Sequence, residues 1–224
     1  PSGPAAAPPE APTGAPPPAS GPGTTGFRVT PGVVIDGPSP PVPPEVVTRD
    51  AAGHVTLRAV RLSEPLVLDG QLDESFYETA PAVSDFIQQE PNEGAPATEK
   101  TEAWIFFDDR NLYISARCWD SHPERMIANE MRRDGQIFQN ENFAVVLDTY
   151  YDRRNGYLFH TNPLGGMFDA DIRPELNRDW NGVWDVKPGR FDEGWTVEIV
   201  IPFKSLRYRP GPSQIWGVNM RRIV

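Results

Sequence analysis

From residue 55 onward the chain is written in short runs in which apolar and polar residues alternate. "NLYISARCW" (111–119) sets Leu112, Ile114, Ala116 and Cys118 on one face and Tyr113, Ser115, Arg117 and Trp119 on the other. "FAVVLD" (143–148) points Phe143, Val145 and Leu147 one way. "WTVEIVI" (195–201) points Trp195, Val197, Ile199 and Ile201 one way, with Thr196 and Glu198 opposite. A period of two is that of a half-buried strand. Runs at 55–61, 83–88, 100–107, 156–162, 167–172 and 215–223 extend the series. "DDRN" (108–111) predicts a hairpin turn between two of them, and "NRDWNG" and "KPGRFDEG" predict further turns. Nearly a dozen short strands with polar connections predict an all-β domain, a sandwich or a barrel.

One stretch breaks the alternation. In "LVLDGQLDESFYETAP" (66–81), Asp69-Gly70 predicts a turn with Gly70 at positive φ. Asp73 then predicts a helix N-cap, Glu74 and Glu78 suit the first turns, Phe76, Tyr77 and Ala80 give an apolar side, and Pro81 ends the helix. A second short helix is expected near 124–131 and a single turn after Pro202. The four carboxylates of the stretch therefore have structural explanations, and their spacing does not match the ligand series of a helix–loop–helix calcium loop.

Composition divides the chain. Residues 1–45 hold 15 of its 26 prolines and only four charged residues, Glu10, Arg28, Asp36 and Glu45. Such a segment buries too little apolar surface to offset its lost entropy, so a disordered Pro/Ala/Gly-rich tether is expected there. Residues 46–224 are expected to form one domain. The chain opens on Pro1, which suggests a processed or trimmed product. Net charge is −10, and the arginine pairs at 132–133, 153–154 and 221–222 are scattered beside acids. The basic stripe of a duplex-binding protein is missing, which argues against nucleic acid as a partner. No apolar run approaches the roughly 18 residues of a spanning helix. Cys118 is the one cysteine, so no internal disulfide forms, and its alternating neighbours place it in the core.

Catalytic signatures are sparse. With 31 acids, some carboxylate pair always falls at glycosidase spacing, so abundance is no evidence. Neither a nucleophile-elbow motif nor a glycine-rich phosphate loop is present. The three histidines, His54, His122 and His160, are widely spaced, which argues against zinc and haem.

Five motifs in order, "LDGQLDESFYETA", "TEAWIFFDDRNLYISARCWDSHPE", "NENFAVVLDTYYDRRNGYLFHTNPLGGMFD", "GWTVEIVIPFKSLRY" and "WGVNMRR", resemble carbohydrate-binding module family 9. They resemble more closely the family-9-like domain found at the N-terminus of bacterial outer-membrane β-barrel proteins. The resemblance covers about residues 55–224. It implies a two-sheet antiparallel β-sandwich of the jelly-roll or lectin-like kind, with one short N-terminal helix. It also implies a non-catalytic, extracytoplasmic role in binding glycan chain ends, structural calcium, and attachment to hydrolases in polysaccharide catabolism. Transferred by position, the first stacking tryptophan becomes Phe138, the sugar-bonding carboxylate becomes Ala144, and the following Arg and Asn become His160 and Asn162. Trp180, in a polar turn where a core role is harder to account for, is a second stacking candidate. Asp120, Asp134, Asp148, Asp152, Asp169 and Asp171 supply hard oxygens, and Asp134, Asp148, Asp169 and Asp171 are the calcium candidates. The family adds a strand after the one matching 215–223, so an unpaired edge there, with weak self-association, is an expectation. Two alternatives stand beside sugar binding: an accessory periplasmic domain of an outer-membrane barrel, and a domain of a glycoside hydrolase.

Overall fold

A computed structural model describes residues 34–224; most of the proposed tether lies outside the described residues. Twelve strands follow in chain order: β1 Val47–Arg49, β2 Val55–Leu57, β3 Val60–Arg61, β4 Thr101–Phe107, β5 Asn111–Trp119, β6 Asn142–Asp148, β7 Gly156–Thr161, β8 Met167–Arg173, β9 Glu175–Asn177, β10 Asp185–Phe191, β11 Gly194–Pro202 and β12 Gly217–Ile223. One helix, α1 (Ser75–Thr79), precedes β4, and single 3-10 turns cover Pro123–Arg125, Ile137–Gln139 and Phe203–Ser205. The first sheet runs β10-β11-β5-β4-β3 and the second β12-β6-β7-β8-β9. β1 and β2 form a separate ribbon. All pairings are antiparallel except β3 with β4. The chain is a two-sheet β-sandwich, as the alternation and the resemblance imply.

The core is the pair of faces that the period of two marks out. Ile114, Ala116 and Cys118 of β5, Phe143 and Val145 of β6, Phe159 of β7, and Trp195, Val197 and Ile201 of β11 lose all contact with water. Register explains the agreement between strands. Trp195 faces Cys118, Val197 faces Ala116 and Ile199 faces Ile114 across β11 and β5, so one face of each strand fills one layer.

The opposite face of the first sheet departs from a half-buried strand. Tyr113, Ser115, Thr196 and Glu198, which alternation sends outward, are buried too. The segment 62–83 lies over them, and its Leu62, Leu72, Phe76 and Tyr77 pack on Trp104, Phe106 and Tyr113. Alternation within a strand cannot show that a distant segment covers its polar face.

Several local expectations are corrected. The N-cap of α1 is Glu74, not Asp73, and no side chain caps the helix; Glu74 instead accepts the Val67 N–H at 2.8 Å. A 3-10 turn at Pro123–Arg125 replaces the helix expected at 124–131. The run 55–61 splits into β2 and β3. The run 83–88 contributes only isolated bridges, Val83 to Ala103 and Ile87 to Pro96. "KPGRFDEG" is largely strand rather than turn. β10 tolerates Pro188 because it lies at the edge of its sheet, where a missing N–H need not break a ladder. Residues 36–45, assigned above to the tether, lie against the domain: Thr48 and Thr56 donate to the Ser39 and Pro38 carbonyls, and Tyr151 accepts the Asp36 N–H.

Candidate functional site

The site residues inferred from the sequence fall on the second sheet, but on different sides of it. Phe143, Val145, Tyr157 and Phe159 face the core, so Ala144 and His160 face outward. Register aligns Arg221 of β12, Ala144 of β6, His160 of β7 and Phe168 of β8 in one row across that outer face. The turn Ile137–Gln139 lays Phe138 over this row. Its ring meets His160 edge-on at 4.7 Å and Phe168 at 5.0 Å, and the exposed Arg178 guanidinium lies 5.9 Å from its centre.

Of the four expected contact residues, the structure brings together Phe138 and His160. Phe138 is half-buried and presents part of its ring to solvent. His160 lies beneath it with no exposed surface, so it is not a surface hydrogen-bonder as the sequence suggested. Neither ring nitrogen has a hydrogen-bond partner among the described residues. Burial, then the Arg221 charge, pushes the imidazole down to about 4, so it is neutral near pH 7.

Asn162 is fully committed to structure. Its Nδ2 donates to the Glu130 carbonyl at 2.7 Å and to Asn140 Oδ1 at 2.9 Å. Its Oδ1 accepts the Leu164 and Gly166 N–H groups at 3.0 and 2.9 Å. A buried amide with every group matched holds the turn after β7 and has no capacity left for a ligand. Trp180 is likewise a packing residue: it is half-buried against the main core, 5.0 Å from Tyr157 and 6.0 Å from Phe159. Those rings face the interior, so Trp180 and Phe138 do not form the two sides of one clamp.

The calcium candidates are not gathered. Among the described residues no group of three or more His, Cys, Asp or Glu is placed to hold a metal ion. Asp169 is buried and engaged by Arg133, the Gly182 N–H at 2.6 Å and Trp184 Nε1 at 3.0 Å. Asp171 pairs with Arg173 at 2.7 Å. Asp148 closes its own turn by accepting the Tyr150 and Arg153 N–H groups. Asp134 sits at a positive φ of 59° in a separate loop. Asp169 and Asp171 do share a face of β8, but Asp169 is engaged by an arginine and two N–H donors and Asp171 by Arg173.

Arg178 and Arg221, which flank Phe138 and the Ala144 row, were not singled out by the sequence. The period of two on β12 marks Arg221 as outward, but only register places it beside Ala144.

Neither family models nor curated protein sequences give a match to this chain. Solved structures do. A family 9 carbohydrate-binding module from Caldicellulosiruptor kristjanssonii in complex with glucose superposes with a TM-score of 0.51, at 17% identity, over 74% of this chain and 78% of the module. This chain has the fold of the family 9 carbohydrate-binding modules. The cellotriose complex of a family 9 module from the same organism gives 0.50 at 18% identity, covering 74% of this chain and 80% of the other. A candidate carbohydrate-binding protein from Bacteroides uniformis gives 0.54 at 10% identity, covering 73% and 81%. Of the positions that the resemblance assigns to sugar contact, Ala144 carries no carboxylate, and Asn162 spends its hydrogen bonds on a turn.

Proposed function

We propose that this domain is a non-catalytic carbohydrate-binding module acting outside the cytoplasm. Its contact surface is the outer face of the second sheet around Phe138. The observation that supports this reading is the half-buried Phe138 ring flanked by the exposed guanidinium of Arg178 on a family-9 scaffold. A pyranose stacks its C–H face on an aromatic ring, and guanidinium N–H groups donate to the hydroxyls at its edge. His160 backs the ring rather than touching the sugar. Arg221, at the β12 end of the same row, supplies a second donor. With phenylalanine in place of a tryptophan and alanine in place of a carboxylate, the surface is built for weak binding.

Isothermal titration against a panel of glucan and xylan oligosaccharides tests this. Phe138→Ala is expected to lower affinity at least tenfold while thermal stability shows the fold intact. A folded wild-type protein that binds no glycan on the panel at millimolar concentration would instead favour the reading as an accessory domain of an outer-membrane barrel. The lost carboxylate at Ala144 and the structural engagement of Asn162 are the observations that keep that second reading open.

A further inference from the structure

The opposite sheet carries a cleft that the reading above does not use. Its volume is about 410 Å3, within the roughly 300–1,000 Å3 usual for small-molecule sites. It opens on the outer face of β5, β11 and β10, and its wall is the turn Gly70–Leu72. That turn is fixed by Glu198, which accepts the Asp69 and Gly70 N–H groups, and by Thr196, which donates to the Gly70 carbonyl at 2.6 Å. The turn packs directly on β10: a Cβ on Gly189 would fall 2.1 Å from the Gly70 carbonyl oxygen.

Two features give the cleft chemical character. Trp119 and Phe191 meet edge-to-face at 5.9 Å across Gly194 and form an apolar rim. Beside them stands the half-buried Arg117, its guanidinium 5.8 Å from the rings of both Trp104 and Trp119. Among the described residues it has no carboxylate within ion-pair distance, because Glu102 opposite it pairs with Lys100. Its one hydrogen bond is a long one, 3.4 Å, to the Leu72 carbonyl. A guanidinium has five N–H donors in a planar fork suited to a carboxylate. The other arginine at the cleft, Arg190, is exposed and places one guanidinium nitrogen 2.6 Å from Met126 Sδ. Gln71 and Glu193 are exposed at the margin, where they can meet hydroxyls.

We propose that this cleft binds an acidic saccharide unit, a uronate, with Arg117 taking its carboxylate and the Trp119–Phe191 rim supporting the ring. The site is independent of Phe138. The apolar rim favours a saccharide over an acidic peptide, and Lys100, whose Nζ lies 4.1 Å from the centre of the Trp119 ring, and Arg190 in the lining add positive charge to that of Arg117.

Titration of the folded protein with oligogalacturonate and with a neutral glucan oligomer of equal length tests the proposal. The expected result is binding of oligogalacturonate that Arg117→Gln weakens at least tenfold, with binding of the neutral glucan oligomer unchanged by that substitution. Arg117→Lys, which keeps the charge and loses the fork, is expected to fall between. Thermal melts confirm that each variant is folded. Absence of oligogalacturonate binding by the wild-type protein overturns the proposal. So does binding indifferent to both Arg117 variants, or equal binding of a short polyglutamate peptide.

Discussion

Glu198 is the residue whose replacement most directly tests how this domain is held together. It lies on the polar side of β11, yet is fully buried. Its Oε2 accepts the Asp69 and Gly70 N–H groups at 3.0 and 2.8 Å, and its Oε1 accepts the Tyr77 hydroxyl at 2.9 Å, which also shares a 2.6 Å hydrogen bond with Ser115. One carboxylate thus ties the turn and α1 to the sheet. Removing it in Glu198→Ala strands two buried donors, the Gly70 N–H and the Tyr77 hydroxyl, each worth about 1–3 kcal/mol when unsatisfied. A loss of about 3 kcal/mol should lower the melting temperature by roughly 6–12 °C for a domain of this size.

The same group makes stability depend on pH. Burial pushes the Glu198 carboxyl up to about 7, against 4.5 for an ordinary glutamate, although the hydrogen bonds from Gly70, Tyr77 and Asp69 pull the other way. The folded state therefore holds the proton more tightly than the unfolded state. The stabilisation is complete below about 4.5 and is lost progressively as pH rises toward 7, by about 3 kcal/mol in all at ~1.4 kcal/mol per unit. Glu198→Gln, which keeps the shape and cannot ionise, should remove that part of the pH dependence and cost much less than alanine at pH 5. Differential scanning calorimetry of the three proteins from about pH 4.5 to about 7.5 measures both effects. An alanine variant melting within about 2 °C of wild type, or a glutamine variant with unchanged pH dependence, would refute the reasoning.

Two further outcomes follow from the core. Arg222 reaches from β12 to Glu141 at 2.6 Å, with both side chains almost fully buried, and also donates to the Lys100 carbonyl and Thr101. Arg222→Ala leaves Glu141 with only Trp195 Nε1 and should cost about 3–5 kcal/mol in urea denaturation, whereas the exposed pair Arg61–Asp109 should tolerate the same change within about 1 kcal/mol. Cys118 is fully buried, and burial pushes its thiol up to about 12. It should react with a disulfide reagent at pH 8 only after denaturant is added, and rapid labelling of the native protein would contradict its place in the core.

The alternating runs determined a great deal about this protein. Each strand's inward residues, Ile114 to Cys118 on β5 and Trp195 to Ile201 on β11, were legible because burial on one face of a pleated strand imposes a period of two whatever the strand pairs with. Gly70 was legible as a turn for a local reason also, its φ of 85°. Pairing order, by contrast, is a property of segments far apart in sequence. Only the tertiary structure put Glu198 under residues 69–77, or Arg221 beside Ala144 and His160. It also separated Phe138 from Trp180, which the sequence had joined in one site, because neither local pattern says on which side of the sandwich a loop lands. Asn162 shows the limit most plainly. Its residue type fits a sugar contact, and its surroundings use all of its hydrogen-bonding capacity on the turn that follows β7.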